Sequence, residues 1–338
     1  MKVHTLPPPP MNVQNFIDDY VKHTPVYTQS SSDLKRLKFS GLKSLIYDKL
    51  TLSKYRSSTI PVELQQKTRE KINYCVTSNL PIHITVPFGG YKKWQLPTAP
   101  HIDFSEVFNL LQLREYLAPI AAIYKNGVIL EYFSDEIFVS VMNNIPQVDI
   151  DIYNNEFVIL IDFLKPYFPK NFQCKFSKIR DFISPEEIFK RFDEIKKDLR
   201  EKWKSLNHDE QQRRLSKARR NYKGDADEQT IFESNLTHDA FIFGDWDAGI
   251  PWAFDKDMIA IGFRYTKTWG IPLMSSRSSA TQFWVGTGAI KVINKECVPT
   301  IITYEQYLKT TPLLKTCVVS LFPKTLPTLQ QLPVITPV

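Results

Sequence analysis

The chain has 338 residues, 43% of them hydrophobic and 13% aromatic, enough apolar side chain for a sizeable core and too much for a disordered chain. Its formal net charge of +7 allows an anionic partner without requiring one. The start, MKVHTLPPPP, lacks the apolar run of a secretory signal, no uninterrupted apolar stretch is long enough to span a bilayer, and Cys75, Cys174, Cys297 and Cys317 form no CxxC pair. These features exclude a membrane span and a disulfide scaffold, and lead us to expect a soluble cytoplasmic protein.

Pro7 to Pro10 lack the donors of a helix or central strand, so the N-terminus reads as an extended arm. Residues 12–78 then read as helices. Ser32 or Asp33 is the expected cap of one, and Pro61-Val62-Glu63 starts another. Ile82, Ile84 and Val86 alternate with His83 and Thr85, which predicts a strand over 82–87. A turn-rich segment follows, and Asp103 is the expected N-cap of a helix with Glu106 at its third position. Pro119 should kink or split that helix, Gly127 stops it, and Val128–Phe133 reads as a buried strand. A helix is predicted over Asp149–Leu164, a strand over Phe172–Ile179, and a helix opening at Ser184-Pro185 with acids in its first turn.

Strand, helix, strand, helix, strand is the pattern of a parallel sheet with crossover helices. The strands at 82–87 and 128–133 are therefore expected to be parallel neighbours. The fold class is α/β: a Rossmann-like, mainly parallel sheet with flanking helices, a helical N-terminal region and a strand-rich C-terminal part. The organisation we read is a proline-rich arm and helical region over 1–80, an α/β catalytic core over 81–311, and a proline-rich tail over 312–338 that wraps the surface or is loose.

On such sheets ligands bind beyond the carboxyl ends of the strands. One such end carries Gly89-Gly90 and then Lys92 and Lys93, and another carries Ser134-Asp135-Glu136. Asp135 or Glu136 there could act as a general base or cap the next helix. Six of the eleven glycines lie between Gly244 and Gly288, together with Trp246, Trp252, Trp269 and Trp284. Glycine allows close backbone approach and indole supplies apolar walls, although tight turns between strands also need glycine. Ser275, Ser276, Arg277 and Ser278 offer a guanidinium fork among hydroxyls, suited to a phosphate or carboxylate, or else a polar loop. Arg264 is a second anion candidate and His238 a proton-transfer candidate. No GxGxxG or Walker motif supports a nucleotide site.

Two other constellations carry alternatives. Gln211 to Lys223 holds six basic residues and no acid, which reads as a solvated helix face or as a nucleic-acid-binding surface. His101 and Asp103, with His238 and Arg277-Ser278-Ser279, follow the HxD…H…RxS order of non-haem iron/2-oxoglutarate oxygenases, whose two-His-one-carboxylate set suits Fe(II). Asp103 already serves as a helix cap, however, and no metal is expected.

The segment His101–Ser140, HIDFSEVFNLLQLREYLAPIAAIYKNGVILEYFSDEIFVS, resembles the isonitrile (isocyanide) synthase family, the pyoverdine/dityrosine biosynthesis proteins. The matching features are a proline- and lysine-containing loop (Pro87–Pro100), a helix ending Ile123-Tyr124-x-x-Gly127, a strand, and a Ser134-Asp135 turn before an apolar pair. Glu136 stands where the family has glycine. The resemblance covers residues 81–165. It implies a Rossmann-like core and conversion of an amino-acid amine to an isonitrile, with a pentulose phosphate as carbon donor and no cofactor. The partners it implies are small molecules, an amino acid and a sugar phosphate. Lys92, Lys93, Arg264 and Arg277 are then the candidates for the anions, and Asp135, Glu136 and His238 for proton transfer.

Overall fold

A computed structural model describes residues 13–24, 27–88, 94–96, 98–243, 253–262, 270–274, 286–294, 296–310, 315–322 and 326–335. Three helices come first: α1 (Val13–His23), α2 (Ser31–Leu50) and α3 (Val62–Thr77). The capping box of α2 is formed by Ser30 and Asp33, each side chain accepting from the other's backbone N–H. The cap is thus Ser30, two residues before Ser32 and three before Asp33, and Asp33 is its reciprocal acid. Pro61 itself is the residue preceding α3.

The alternating part follows: β1 (Ile82–Phe88), α4 (Phe104–Ile123), β2 (Val128–Ser134), α5 (Glu136–Asn143), α6 (Gln147–Leu164) and β3 (Phe172–Lys178). A helical middle, α7 (Pro185–Ser205), α8 (His208–Ala218) and α9 (Glu228–Phe243), leads to β4 (Met258–Gly262) and β5 (Ile271–Pro272). These strands form one sheet in the order β3-β2-β1-β4-β5, and each adjacent pair is parallel. The expected pairing is met in register, from Ile82 opposite Val128 to Phe88 opposite Ser134. The order reverses between β1 and β4, the crevice position where such sheets take ligands.

β1 is buried along its whole length, its polar residues included. Helices cover both faces, so the alternation at 82–86 separates two interiors rather than interior from solvent. One face carries Ile82, Ile84, Val86, Leu130 and Tyr132, and packs with Ile46, Leu50 and Ile72 of the N-terminal helices, Leu110 and Leu117 of α4, and Phe157 of α6. The other carries Phe133, Met258 and Ala260 against Phe138 of α5 and Ile188 and Phe192 of α7. A smaller cluster, Leu215, Ala218, Ile231 and Phe232, joins α8 to α9.

Pro119 does not split α4, which runs unbroken from Phe104 to Ile123. A proline at 119 cannot donate to the carbonyl of Glu115, and the Tyr55 hydroxyl donates to that oxygen instead, at 3.5 Å. The C-terminal part comprises β6 (Gly286–Ile293), β7 (Glu296–Thr303), α10 (Tyr304–Thr310), β8 (Lys315–Phe322) and β9 (Leu326–Ile335). Its four strands form a second sheet in the order β7-β6-β9-β8. The proline-rich tail is therefore not a loose wrapping: β9 pairs with β6 and β8, and Leu332 and Val334 join the main core. Alternating apolar positions fix its pairing despite the missing proline donors. Among the described residues no helix is long and apolar enough to cross a membrane.

Candidate functional site

The carboxyl ends of β1, β2 and β3 open onto a group of buried polar side chains. The ends of β1 and β2 are tied together by the backbone N–H of Asp135, which donates to the Phe88 carbonyl at 3.0 Å. Asp135 then occupies the N-cap position of α5, yet its side chain makes no capping hydrogen bond. Its neighbour Glu136 is fully buried and faces two cations. Arg180 Nε contacts Oε1, and Lys178 Nζ lies 3.3 Å from Oε2, where the Asn154 amide also approaches at 3.5 Å. Lys178 and Arg180 sit at and just beyond the end of β3, so two adjacent strand ends, with Asn154 of α6, supply this group.

The N-terminus of α4 forms the opposite wall. Asp103 caps the helix, with Oδ1 accepting from the Ser105 N–H at 2.7 Å and from its hydroxyl at 2.8 Å. Its Oδ2 accepts from Thr98 at 2.8 Å and Thr287 at 3.1 Å. Glu106 closes the capping box by accepting the Asp103 N–H at 2.6 Å. Thr287 belongs to β6, so the second sheet buttresses this helix end. The approach is close at Gly288, where a Cβ would lie 3.0 Å from the Asp103 carboxyl carbon. A side chain there would push the cap away.

Tyr153 of α6 joins the two walls. Its hydroxyl donates to Glu106 Oε1 at 3.0 Å. Burial, and then the negative charges of Glu106, Asp103 and Asp135, push this phenol well above its usual range. It remains a neutral donor at any working pH. Phe88 stacks on Tyr153, with ring centroids 5.1 Å apart and planes 11° apart, and Phe157 closes the other side at 4.1 Å. These rings form a dry floor, in which each charge acts more strongly than in water. His101 Nδ1 meets Glu156 at 2.6 Å.

Of the residues singled out in the sequence, Asp135 and Glu136 are thus brought together with the α4 N-terminus. Lys92, Lys93, Trp246, Trp252, Arg264, Ser275, Ser276, Arg277 and Ser278 lie outside the described residues. His238 lies in α9, and its side chain is likewise outside them. The segments holding Lys92, Lys93 and Arg264 follow directly on β1 and β4, the two strands at the reversal of strand order. The sequence reading missed Tyr153, Asn154, Lys178 and Arg180. Tyr153 looked like one more member of an apolar helical stripe. Lys178 and Arg180 were legible by the rule applied to the first two strands, since they stand where the third one ends.

Four of the six basic residues of the run make ion pairs within the chain. Arg213 and Arg214 bind Glu210, each at 2.7 Å, Arg219 lies 3.6 Å from Glu228, and Lys223 meets Asp149 at 2.6 Å. Among the described residues no group of three His, Cys, Asp or Glu side chains is arranged to hold a metal ion.

No family model matches this sequence, and no curated protein sequence matches it. Among solved structures, the chain is similar to the PvcA protein from Pseudomonas aeruginosa. The similarity covers 87% of this chain and 99% of that one, with a TM-score of 0.58 and 11% sequence identity. At that identity the likeness is one of fold.

Proposed function

We propose that this chain is an enzyme of the isonitrile synthase kind, joining an amino-acid amine to a carbon donated by a pentulose phosphate at the carboxyl edge of the parallel sheet. The observation that carries the reading is the buried carboxylate of Asp135 at the end of β2, at the N-cap position of α5 and close enough to Tyr153 to act on its phenol. The fold shared with PvcA and the resemblance of His101–Ser140 to the isonitrile synthases support the same reading.

The chemistry needs an amine freed of its proton. A carboxylate within a partly dry site attracts the substrate ammonium and accepts that proton, and Asp135 takes this role. The free amine then adds to the ketone carbon of the sugar phosphate, and loss of water leaves an imine. Tyr153, held neutral and donating to Glu106, fixes that carboxylate at the N-terminus of α4. Glu136, between Lys178 and Arg180, orients the turn that presents Asp135, and His238 is the candidate for later proton transfers. Lys92, Lys93, Arg264 and Arg277, with the hydroxyls of Ser275, Ser276 and Ser278, supply donors for the phosphate and the carboxylate. Trp246 and Trp252 supply apolar walls.

The test is incubation with amino acids and a pentulose phosphate carrying a carbon-13 label, followed by mass spectrometry. Label should appear in an isonitrile product. Asp135→Asn should lower kcat by about a hundredfold or more with an unchanged melting temperature. Absence of labelled product across the amino acids, or full activity in Asp135→Asn, would overturn the reading.

A further inference from the structure

The edge of the parallel sheet far from the strand reversal is β3, whose only neighbour among the described strands is β2. The Val128 N–H donates to the Asn171 carbonyl at 3.0 Å, and this fixes which backbone groups turn inward. In a parallel pair alternate residues bond the neighbour, so residues 171, 173, 175 and 177 face β2 and residues 172, 174 and 176 face out. The outward N–H of Phe172 is taken by the Pro169 carbonyl at 2.9 Å. The Lys178 N–H, at the other end, is taken by the Asp181 carboxylate at 3.1 Å. Between these two stops, the N–H and C=O groups of Cys174 and Phe176 form a short outward-facing ladder.

Beside the ladder lies a cavity of about 520 Å³, whose lining includes Lys165, Lys170, Lys175, Phe168, Phe172 and Gln173. The rings of Phe168 and Phe172 stack at 4.7 Å and 22°, giving it an apolar base. Lys165 is held by Asp162 at 2.6 Å. Lys170 and Lys175 are exposed at the rim. Burial pushes the thiol of Cys174 up, so it stays protonated and the place is not a nucleophile's.

We propose that the outer edge of β3 receives an extended acidic peptide of a partner protein, added as a sixth strand with one side chain seated over Phe168 and Phe172. Strand addition of this kind draws affinity from main-chain hydrogen bonds and specificity from neighbouring pockets. The lysines select the occupant. Basic residues on an edge discourage indiscriminate pairing, and a second copy of this chain would bring Lys175 against its own counterpart. An acidic strand turns the same charges into attraction.

The experiment uses a fluorescent peptide about nine residues long that alternates Glu with Val, a length that covers the exposed ladder. Fluorescence anisotropy with the full-length protein at low salt should show saturable binding. The same peptide with Lys for Glu should not bind, nor should the acidic peptide with all internal amides N-methylated, which keeps its charge but cannot pair. The Lys170→Glu/Lys175→Glu variant should bind the acidic peptide at least about tenfold more weakly. Equal binding of the N-methylated peptide would replace strand addition with simple anion attraction and overturn the proposal. So would failure of the acidic peptide to bind, or unchanged affinity in the lysine variant. A dimer in sedimentation that dissociates on Lys175→Glu would assign the edge to a second copy instead. The N-methylated arm leaves the protein unaltered, so the result stands whatever the variant's stability.

Discussion

At the amino end of the parallel sheet the chain is held by backbone groups and close packing, whereas at its carboxyl end it is held by side-chain carboxylates and their donors. At the amino end, Gly127 turns with φ +71°, and its carbonyl accepts the Ile82 N–H at 3.0 Å. The Asn171 amide donates to the carbonyls of Ala121 and Tyr124, and the Tyr124 hydroxyl to the carbonyl of Leu80. Each of these acceptors is a peptide carbonyl, and the result is a fixed entry into each strand. At the carboxyl end, Asp103, Glu106, Asp135, Glu136 and Tyr153 are buried together. Such a concentration of acids costs desolvation energy, and a sheet could be closed more cheaply with apolar residues. One end serves the fold, and the other bears a desolvation cost that the proposed chemistry would explain.

The sharpest way to break this comparison is at Gly127. A Cβ there would stand 1.8 Å from the Asn171 carbonyl oxygen. Gly127→Ala should therefore cost about 4 kcal/mol or prevent folding, because the positive φ and the clash act together. Chemical denaturation checks this. A loss under about 1 kcal/mol would show that the amino end tolerates change.

Asp103→Ala comes next. It removes the α4 cap and strands the hydroxyls of Thr98 and Thr287, for a cost of about 2–4 kcal/mol in the same measurement. Because the cap belongs to the carboxyl end, activity at a temperature where the variant is folded should fall as well. Unchanged activity there would confine Asp103 to stability.

The smallest effect lies between the two ends. Glu131, in mid-strand, contacts His83 Nε2 at 2.7 Å, while the other ring nitrogen lies 3.2 Å from Asp257. Burial alone would raise the Glu131 carboxyl, but hydrogen bonds from His83 and Ser177 outweigh it and hold it below its usual range. A depressed carboxyl contributes stability that is present above its ordinary value near 4.5 and lost as pH falls through the lower, folded value. Glu131→Gln should thus be less stable than the native chain at neutral pH, with the gap closing as the solution is acidified below about pH 4.5. A gap independent of pH would mean that Glu131 acts by packing alone.

The comparison also separates what could be read from the sequence. The parallel pairing of β1 and β2 was legible because apolar runs bounded by Pro81 and Gly127, with a helix between, leave one economical topology. The cap at Asp103 was legible because capping is local, set by residues three apart. Asp135 was legible as a strand-end acid.

What the sequence determined, then, was what depends on near neighbours along the chain: the helices, the strands, their alternation and the acid at the end of β2. Only the tertiary structure decided which distant groups meet. Tyr153 and Glu106, 47 positions apart, share a proton donor and acceptor, and Thr287 reaches Asp103 across 184. The tail strand β9 closes the core beside β6 despite its prolines. Such contacts leave no periodic trace, because each depends on how whole elements pack, and packing is a property of three-dimensional shape rather than of spacing along the chain.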